Sequence, residues 1–164
     1  MAKLRVGIFS FTGDEGCVIT FLEILNTKFF EWIEHVDFVN MRVLQKNNSL
    51  ENLDVAFVEG AISTEKEVEK LQQIRANSKR VVAIGSCAIS GAPSNYRNLF
   101  DEKTMAEILP ILQRFHHREK VVPIGNLVTV DAQVPGCPII EEKFIELMEK
   151  YITELGGGPI VAHA

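Results

Sequence analysis

Three cysteines, Cys17, Cys87 and Cys137, stand in sequence settings that could bind a metal. Each follows an apolar run and has a glycine within the two residues before it, in the segments TGDEGC, AIGSCA and VPGCPI. Thiolates are ligands of zinc and of iron–sulfur clusters, and glycine lets backbone N–H groups approach the sulfur closely. One such cysteine is more often simply buried in a tight turn, but three in the same setting favour ligation. Structural zinc sites usually contain close pairs such as C-x₂-C, which are absent from this sequence.

Short apolar runs predict the strands that would carry these cysteines. The runs cover residues 4–11, 36–44, 55–58, 81–84 and 121–130. They are rich in β-branched residues and are bounded by polar, Gly or Pro segments, as strands covered on both faces usually are. Cys17 and Cys87 follow the first and fourth of these runs, and Cys137 follows the last. All three cysteines therefore lie just beyond the carboxyl end of a predicted strand.

Helical periodicity appears between the predicted strands. It predicts helices over 18–32, from Thr64, from about Glu102 and over 144–155. Thr64 and Glu67 have the spacing of a capping box. Pro110 is expected to kink or divide the third helix because it cannot donate a backbone hydrogen bond. The Gly-, Ser- and Pro-rich stretch 85–98 is predicted to be a loop.

The alternation of strands and helices predicts an α/β fold with a doubly wound parallel sheet. In such sheets ligands bind at the carboxyl ends of the strands. The length of 164 residues suits one domain, and we predict that it spans residues 1–155. Residues 156–164 are predicted to be a flexible or docking tail, because the glycines at its start end the last helix.

Charge and composition exclude some classes of partner. A formal net charge of -5 argues against nucleic-acid binding. The longest apolar stretch is broken by Gly and Ser and is shorter than the roughly 20 residues of a membrane span, so we expect no membrane partner. The N-terminus enters a strand-like run without an export signal, which predicts a cytoplasmic protein. Because cytoplasmic thiols stay reduced, we expect the cysteines to be ligands, nucleophiles or buried core residues rather than disulfide partners.

The cysteine motifs DEGC, GSCA and VPGCP resemble those of [NiFe] hydrogenase small subunits and of the related 20-kDa subunits of respiratory complex I. The segments Val58-Glu59-Gly60 and Val130-Asp131 also resemble that family, and the similarity extends from about Val6 to the last helix. It implies a flavodoxin-like fold that holds one [4Fe–4S] cluster, or alternatively a [3Fe–4S] cluster. It also implies electron exchange with the nickel–iron site of a separate large subunit. Iron–sulfur or flavin subunits of the diaphorase type, NAD-linked by analogy, are the expected further partners.

The resemblance implies a ligand set of Cys17, Cys87, Cys137 and, by position, Asp14. The family has C-x-G-C where this chain has D-E-G-C. A carboxylate is a harder ligand than a thiolate, so we expect a weaker bond to iron. Asp14 could instead cap the following helix. The remaining residues expected around the cluster are Gly16, Gly85, Ser86, Gly136 and Pro138.

Two acids near the cysteines, Glu15 and Glu59, could form a proton relay, because a nearby negative cluster would raise their pKa values. Glu15 could equally face solvent, and Glu59 could hydrogen-bond to backbone N–H groups.

Two other functions fit parts of the sequence. The flavodoxin-like pattern and the segment 10–13 could belong to an electron carrier that binds FMN, although Asp14 and Glu15 would repel its phosphate. Cys17 at a helix start also resembles an activated nucleophile, but no histidine lies in a candidate loop to serve as its base.

Overall fold

The structure is a computed structural model that describes residues 3–156. A parallel five-stranded sheet forms its centre. In spatial order its strands are β2 (Val36–Met41), β1 (Leu4–Ser10), β3 (Leu53–Glu59), β5 (Ser78–Ile84) and β7 (Ala132–Val134). Every neighbouring pair is parallel, so the carboxyl ends of all five strands lie at one edge. The predicted α/β fold with a parallel sheet is confirmed.

Helices cover both faces of this sheet. α1 (Gly16–Trp32) and α5 (Glu141–Leu155) pack on one face, where Phe21, Trp32 and Phe144 are fully buried. α2 (Glu65–Ala76) and α3 (Gly85–Ser90) pack on the other. The strand side chains alternate between the two cores, and each fully buried large apolar side chain contributes roughly 1.5–3 kcal/mol to folding. Both faces of the central strands are therefore buried, which explains their continuous apolar sequences.

The predicted strand over 121–130 is wrong. In its place β6 (His117–Val122) pairs antiparallel with the short strand β4 (Ile62–Thr64), outside the main sheet. The chain then forms a 3₁₀ turn and joins the sheet only at β7. Pro123 explains the break, because it has no N–H to continue a strand ladder.

Asp131 fastens β7 to the sheet. Its backbone N–H donates to the Val81 carbonyl, and its Oδ2 accepts the Val81 N–H, both at 2.8 Å. Arg75 Nη1 donates to the same Oδ2 at 2.6 Å. Burial alone would raise the pKa of Asp131, but these hydrogen bonds and the guanidinium outweigh it and lower the pKa. The segment that carries Cys137 is thus held by a charged clasp.

Other predicted elements are confirmed with different bounds or character. The first helix, the capping box of Thr64 and Glu67, and the last helix are present. The predicted loop over 85–98 is wrong at its start, because α3 begins directly after β5, and 96–99 forms a 3₁₀ helix. α4 (Glu102–Arg114) runs through Pro110 undivided, and Leu112 is its only buried residue.

The last helix ends at Leu155, and Gly156 follows it as the C-cap. The predicted tail otherwise lies outside the described residues. Among residues 3–156, every helix is too short or too polar to cross a bilayer.

Candidate metal centre

The three cysteines line one cavity of about 90 Å³ at the carboxyl edge of the sheet. Cys17 and Cys87 are half-buried, and Cys137 is exposed. The sequence expectation that three distant segments meet at this edge is therefore met in the structure. The lining also includes every other predicted site residue except Gly85 and Glu15, and the complete set is Gly13, Asp14, Gly16, Cys17, Glu59, Gly60, Ile84, Ser86, Cys87, Gly136, Cys137 and Pro138.

Cys17 lies in the first turn of α1, after a loop that is anchored to the neighbouring strand. Thr12 and Ala61 exchange two backbone hydrogen bonds, of 3.0 and 2.8 Å. Glu15, the residue before α1, is exposed and has a left-handed backbone with φ 60°. Asp14 Oδ1 accepts the Gly16 N–H at 3.0 Å, so this carboxylate binds one of the free amides at the helix start. The alternative that Asp14 is the N-cap of α1 is wrong, because Glu15 has that position and makes no side-chain capping bond. Asp14 lies one residue earlier and lines the cavity.

Cys87 lies in α3, which starts with a glycine that is required by the site. Gly85 has φ +81°, and a Cβ atom on it would overlap the sulfur of Cys17. The backbone at this turn therefore approaches Cys17 more closely than any other residue type allows. Gly85 does not line the cavity itself, but its missing side chain leaves the space that Cys17 Sγ occupies.

The segment of Cys137 is tied directly to that of Cys87. The Gly136 carbonyl accepts both the N–H of Ser86 at 2.8 Å and its hydroxyl at 3.0 Å. Gly136 has φ +123°, where a Cβ would collide with the Pro138 carbonyl. Ser86 and Gly136 were predicted as residues around a cluster, and their contact fixes two of the cysteine segments relative to each other.

Cys17 is not an activated thiol. Burial raises its pKa to about 12, with further increases from the nearby Glu59 carboxylate and from Cys137. A helix start favours the thiolate, but burial and these neighbours outweigh that effect at Cys17. Among residues 3–156, the cavity lining also contains no histidine. A cysteine nucleophile with a nearby base is therefore not supported at this site.

Glu59 is a buried carboxylate behind Cys17. Its Oε1 accepts the Ser10 hydroxyl at 2.8 Å, and its Oε2 accepts the Val18 N–H at 2.9 Å. Burial raises its pKa, and the charge of Glu15 adds to the rise, while hydrogen bonds from Ser10, Val18 and Cys17 oppose it. Glu59 thus fixes the start of α1 and places a carboxylate near Cys17. Its role in a relay stays a prediction, as does that of the exposed Glu15.

Ser94 is a contact residue that the sequence did not reveal. Its hydroxyl lies 3.3 Å from Cys87 Sγ and 3.3 Å from the Thr12 carbonyl, so it links the loop before Cys17 with α3. Only its position in a Gly/Pro-rich segment after Cys87 could have signalled a role.

The possible metal donors are spread around the cavity. Among residues 3–156, no three His, Cys, Asp or Glu side chains are close enough together to hold one metal ion. Three thiols line this cavity with a carboxylate beside them, and thiolates are the usual ligands of iron–sulfur clusters. A phosphate fits poorly, because Asp14 already binds the amide that would face it.

Comparison with known proteins identifies the family. Residues 15–151 match the family model described as NADH ubiquinone oxidoreductase, 20 Kd subunit. The chain belongs to this family. The 20-kDa subunit family was one of the two groups that the cysteine motifs resembled, and the resemblance is confirmed.

Several relatives of this 20-kDa-family chain are hydrogenase subunits. A subunit of the F420-non-reducing hydrogenase of Methanothermobacter thermautotrophicus is 29% identical over 152 residues, which cover 83% of the chain and 49% of the relative. The NAD-reducing hydrogenase HoxS subunit delta of Cupriavidus necator is 27% identical, over 92% of the chain and 79% of the relative. The chain thus spans about half the length of the first relative and most of the second.

Solved structures agree with the assignment. A chain of an NAD+-reducing [NiFe]-hydrogenase in the H2-reduced state superposes with a TM-score of 0.78 and 25% identity, and 99% of each chain is covered. The Ni-Fe-Se hydrogenase of Desulfomicrobium baculatum gives a TM-score of 0.66 at 15% identity, covering 99% of this chain and 67% of that one, which shows the shared fold.

Proposed function

We propose that this protein is the electron-transferring small subunit of a [NiFe] hydrogenase and holds one [4Fe–4S] cluster. Its ligands are Cys17, Cys87, Cys137 and Asp14. The observation that carries the proposal is that the three thiols line a single cavity at the carboxyl edge of the sheet. If Asp14 keeps only its contact with Gly16, the three thiols would suit a [3Fe–4S] cluster instead.

The residues around the cavity have separate tasks in this proposal. A bound cluster supplies reversible one-electron storage. Cys17 must lose its proton to bind iron, and the Glu59 carboxylate, which lines the same cavity, is the proposed first acceptor. The Ser94 hydroxyl, 3.3 Å from Cys87 Sγ, is placed to donate to a thiolate there. Gly85 and Gly136 keep side chains out of the space that the sulfurs need.

The partner is proposed from the relatives. A separate large subunit would carry the nickel–iron site and cover the edge where Cys137 is exposed. Electrons would pass between that site and further iron–sulfur or flavin subunits, and an NAD-linked module is the candidate favoured by the similarity to the HoxS subunit delta. The name of the F420-non-reducing relative leaves other acceptors open.

Single replacements of the cysteines test the proposal. Cys87→Ala in the purified complex should lose cluster iron and hydrogen-driven dye reduction, because one of three strong ligands is missing. Ser90→Ala, an exposed position on the same short helix, is the matched control and should keep both. Full iron content in Cys87→Ala would exclude the proposed ligand set.

Asp14→Cys tests the fourth ligand. A thiolate donates more strongly than a carboxylate, so the cluster should remain and its reduction potential should fall. An unchanged potential would show that Asp14 does not bind iron.

A further inference from the structure

A second, larger cavity of about 540 Å³ lies beside the candidate metal centre. Ser10 lines this cavity, and its hydroxyl donates to Glu59, which lines the first one. One hydrogen-bonded pair of side chains therefore links the linings of the two cavities. Both lie at the carboxyl edge of the sheet, so a partner that covers this edge would meet both.

The larger cavity exists because one connection of the sheet has no helix. Residues 42–52, which join β2 to β3, form turns and bends only. Helices of a doubly wound sheet normally cover such a crossover. Here the ends of β1 and β2 are left open on the face of α2. The floor is apolar and buried, and its members include Phe9, Val18, Met41 and Ile74.

Three cations surround this apolar floor. Lys66 and Lys70 lie one turn apart on α2, and Arg42 lies across the cavity at the end of β2. Within residues 3–156, none of the three forms a salt bridge. Two carboxylates, Glu15 and Glu67, also line the cavity, but within the described residues neither forms a salt bridge with these cations. The lining thus carries a net charge of +1, three cations against two carboxylates, on a chain of net charge -5.

The rim also exposes apolar side chains. Val43, which lines the cavity, is 51% exposed, and its neighbour Leu44 is 58% exposed. An occupant that matches this surface needs apolar side chains for the floor and carboxylates for the rim. All three cations are exposed, whereas a small buried anion would need buried donors to replace its water. A protein segment that keeps its carboxylates at the rim fits better.

We propose that the cavity, bounded by Arg42, Lys66 and Lys70, receives an acidic, amphipathic segment of the large subunit. The inference rests on the proposed function for the identity of that partner. The apolar side of the segment packs on the floor, and its carboxylates pair with the three cations. Such rim pairs orient the partner and speed association more than they add affinity.

Zero-length crosslinking with a carbodiimide tests this contact in the purified native complex. Lys66 and Lys70 should form amide links to Asp or Glu side chains of one short segment of the large subunit. The pair Lys28 and Glu149, 2.8 Å apart within this chain, is the internal positive control. Absence of links from Lys66 and Lys70 while the control pair reacts would overturn the proposal.

Charge reversal gives the second measurement. Lys66→Glu with Lys70→Glu should weaken binding to the large subunit about tenfold, which two lost rim pairs and their repulsion can supply. The control variant, Lys103→Glu with Lys150→Glu, reverses two charges outside the cavity lining and should bind as the wild type does. Equal affinities of the two variants would contradict the proposal.

Two further readouts separate the possible failures. Iron is quantified in every sample. A complex that forms the crosslinks but lacks iron would refute the cluster and support the contact. A complex that contains iron but lacks the crosslinks would support the cluster and refute the contact. Native mass spectrometry that found a small anion bound to the chain, and lost in Lys66→Glu with Lys70→Glu, would overturn the docking proposal.

Discussion

Gly85→Ala should show how much the stability of the fold and the iron content of the metal centre each depend on having no side chain at this position. At φ +81° an alanine is strained by about 1–2 kcal/mol. Its Cβ would also lie closer to Cys17 Sγ than the 3.0 Å that real Cβ atoms keep. Because Gly85 is buried between β5 and α3, the backbone cannot easily retreat, and the sulfur must move instead. We expect a loss of roughly 2–4 kcal/mol in the free energy of unfolding.

The assay compares urea unfolding of the cluster-free chain with iron content of the purified complex. Gly125→Ala is the control, because its Cβ would meet nothing closer than Val130 at 3.9 Å. It should change the unfolding free energy by less than about 0.5 kcal/mol and leave the iron content unchanged. If Gly85→Ala unfolded like the wild type and kept all its iron, the close approach of this turn to Cys17 would be refuted.

Three further predictions follow from single side chains. The pKa of Cys17 is raised from 9.0 to about 12, so the cluster-free chain should lose stability as pH rises from 9 towards 12. The loss in the free energy of unfolding should be roughly 0.5–1 kcal/mol at pH 10 after solvent screening. Urea titrations of Cys17→Ser should not show this loss. Ser94→Ala should lower the cluster potential in a redox titration by about 40 mV per 1 kcal/mol of lost hydrogen bonding, whereas Ser90→Ala should not. Asp131→Asn should cost about 1–3 kcal/mol at pH 7. Because the folded pKa of Asp131 is lowered, that difference should shrink as pH falls below 3.8, and a constant difference in unfolding free energy would contradict the clasp.

The central strands could be predicted because burial on both faces leaves an unbroken apolar run. β3 and β5 are covered by helices on both sides, and their sequences show it. The 121–130 run is also apolar but contributes to two places. Val121 belongs to β6, which pairs with β4, and Ile124 packs in the core under α2. Apolar composition records burial and not the pairing partner, so the sequence could not separate these roles.

The proximity of the three cysteines could be predicted from the topology of the sheet, but the raised pKa of Cys17 could not. Parallel strands end at one edge, which is enough to bring Cys17, Cys87 and Cys137 together. The raised pKa of Cys17 depends on burial and on Glu59, a residue of another strand. The contact of Ser94 with Cys87 likewise depends on the path of an irregular loop. Local pattern predicts such loops poorly because their long-range contacts decide their shape.

Iron analysis with electron paramagnetic resonance of the purified, dithionite-reduced complex tests the central claim most directly. If the three thiols and Asp14 hold one cluster, this subunit should carry four irons and give one reduced [4Fe–4S] signal, which Cys87→Ala abolishes. A wild-type chain without iron, or a signal that survives Cys87→Ala unchanged, would contradict the account.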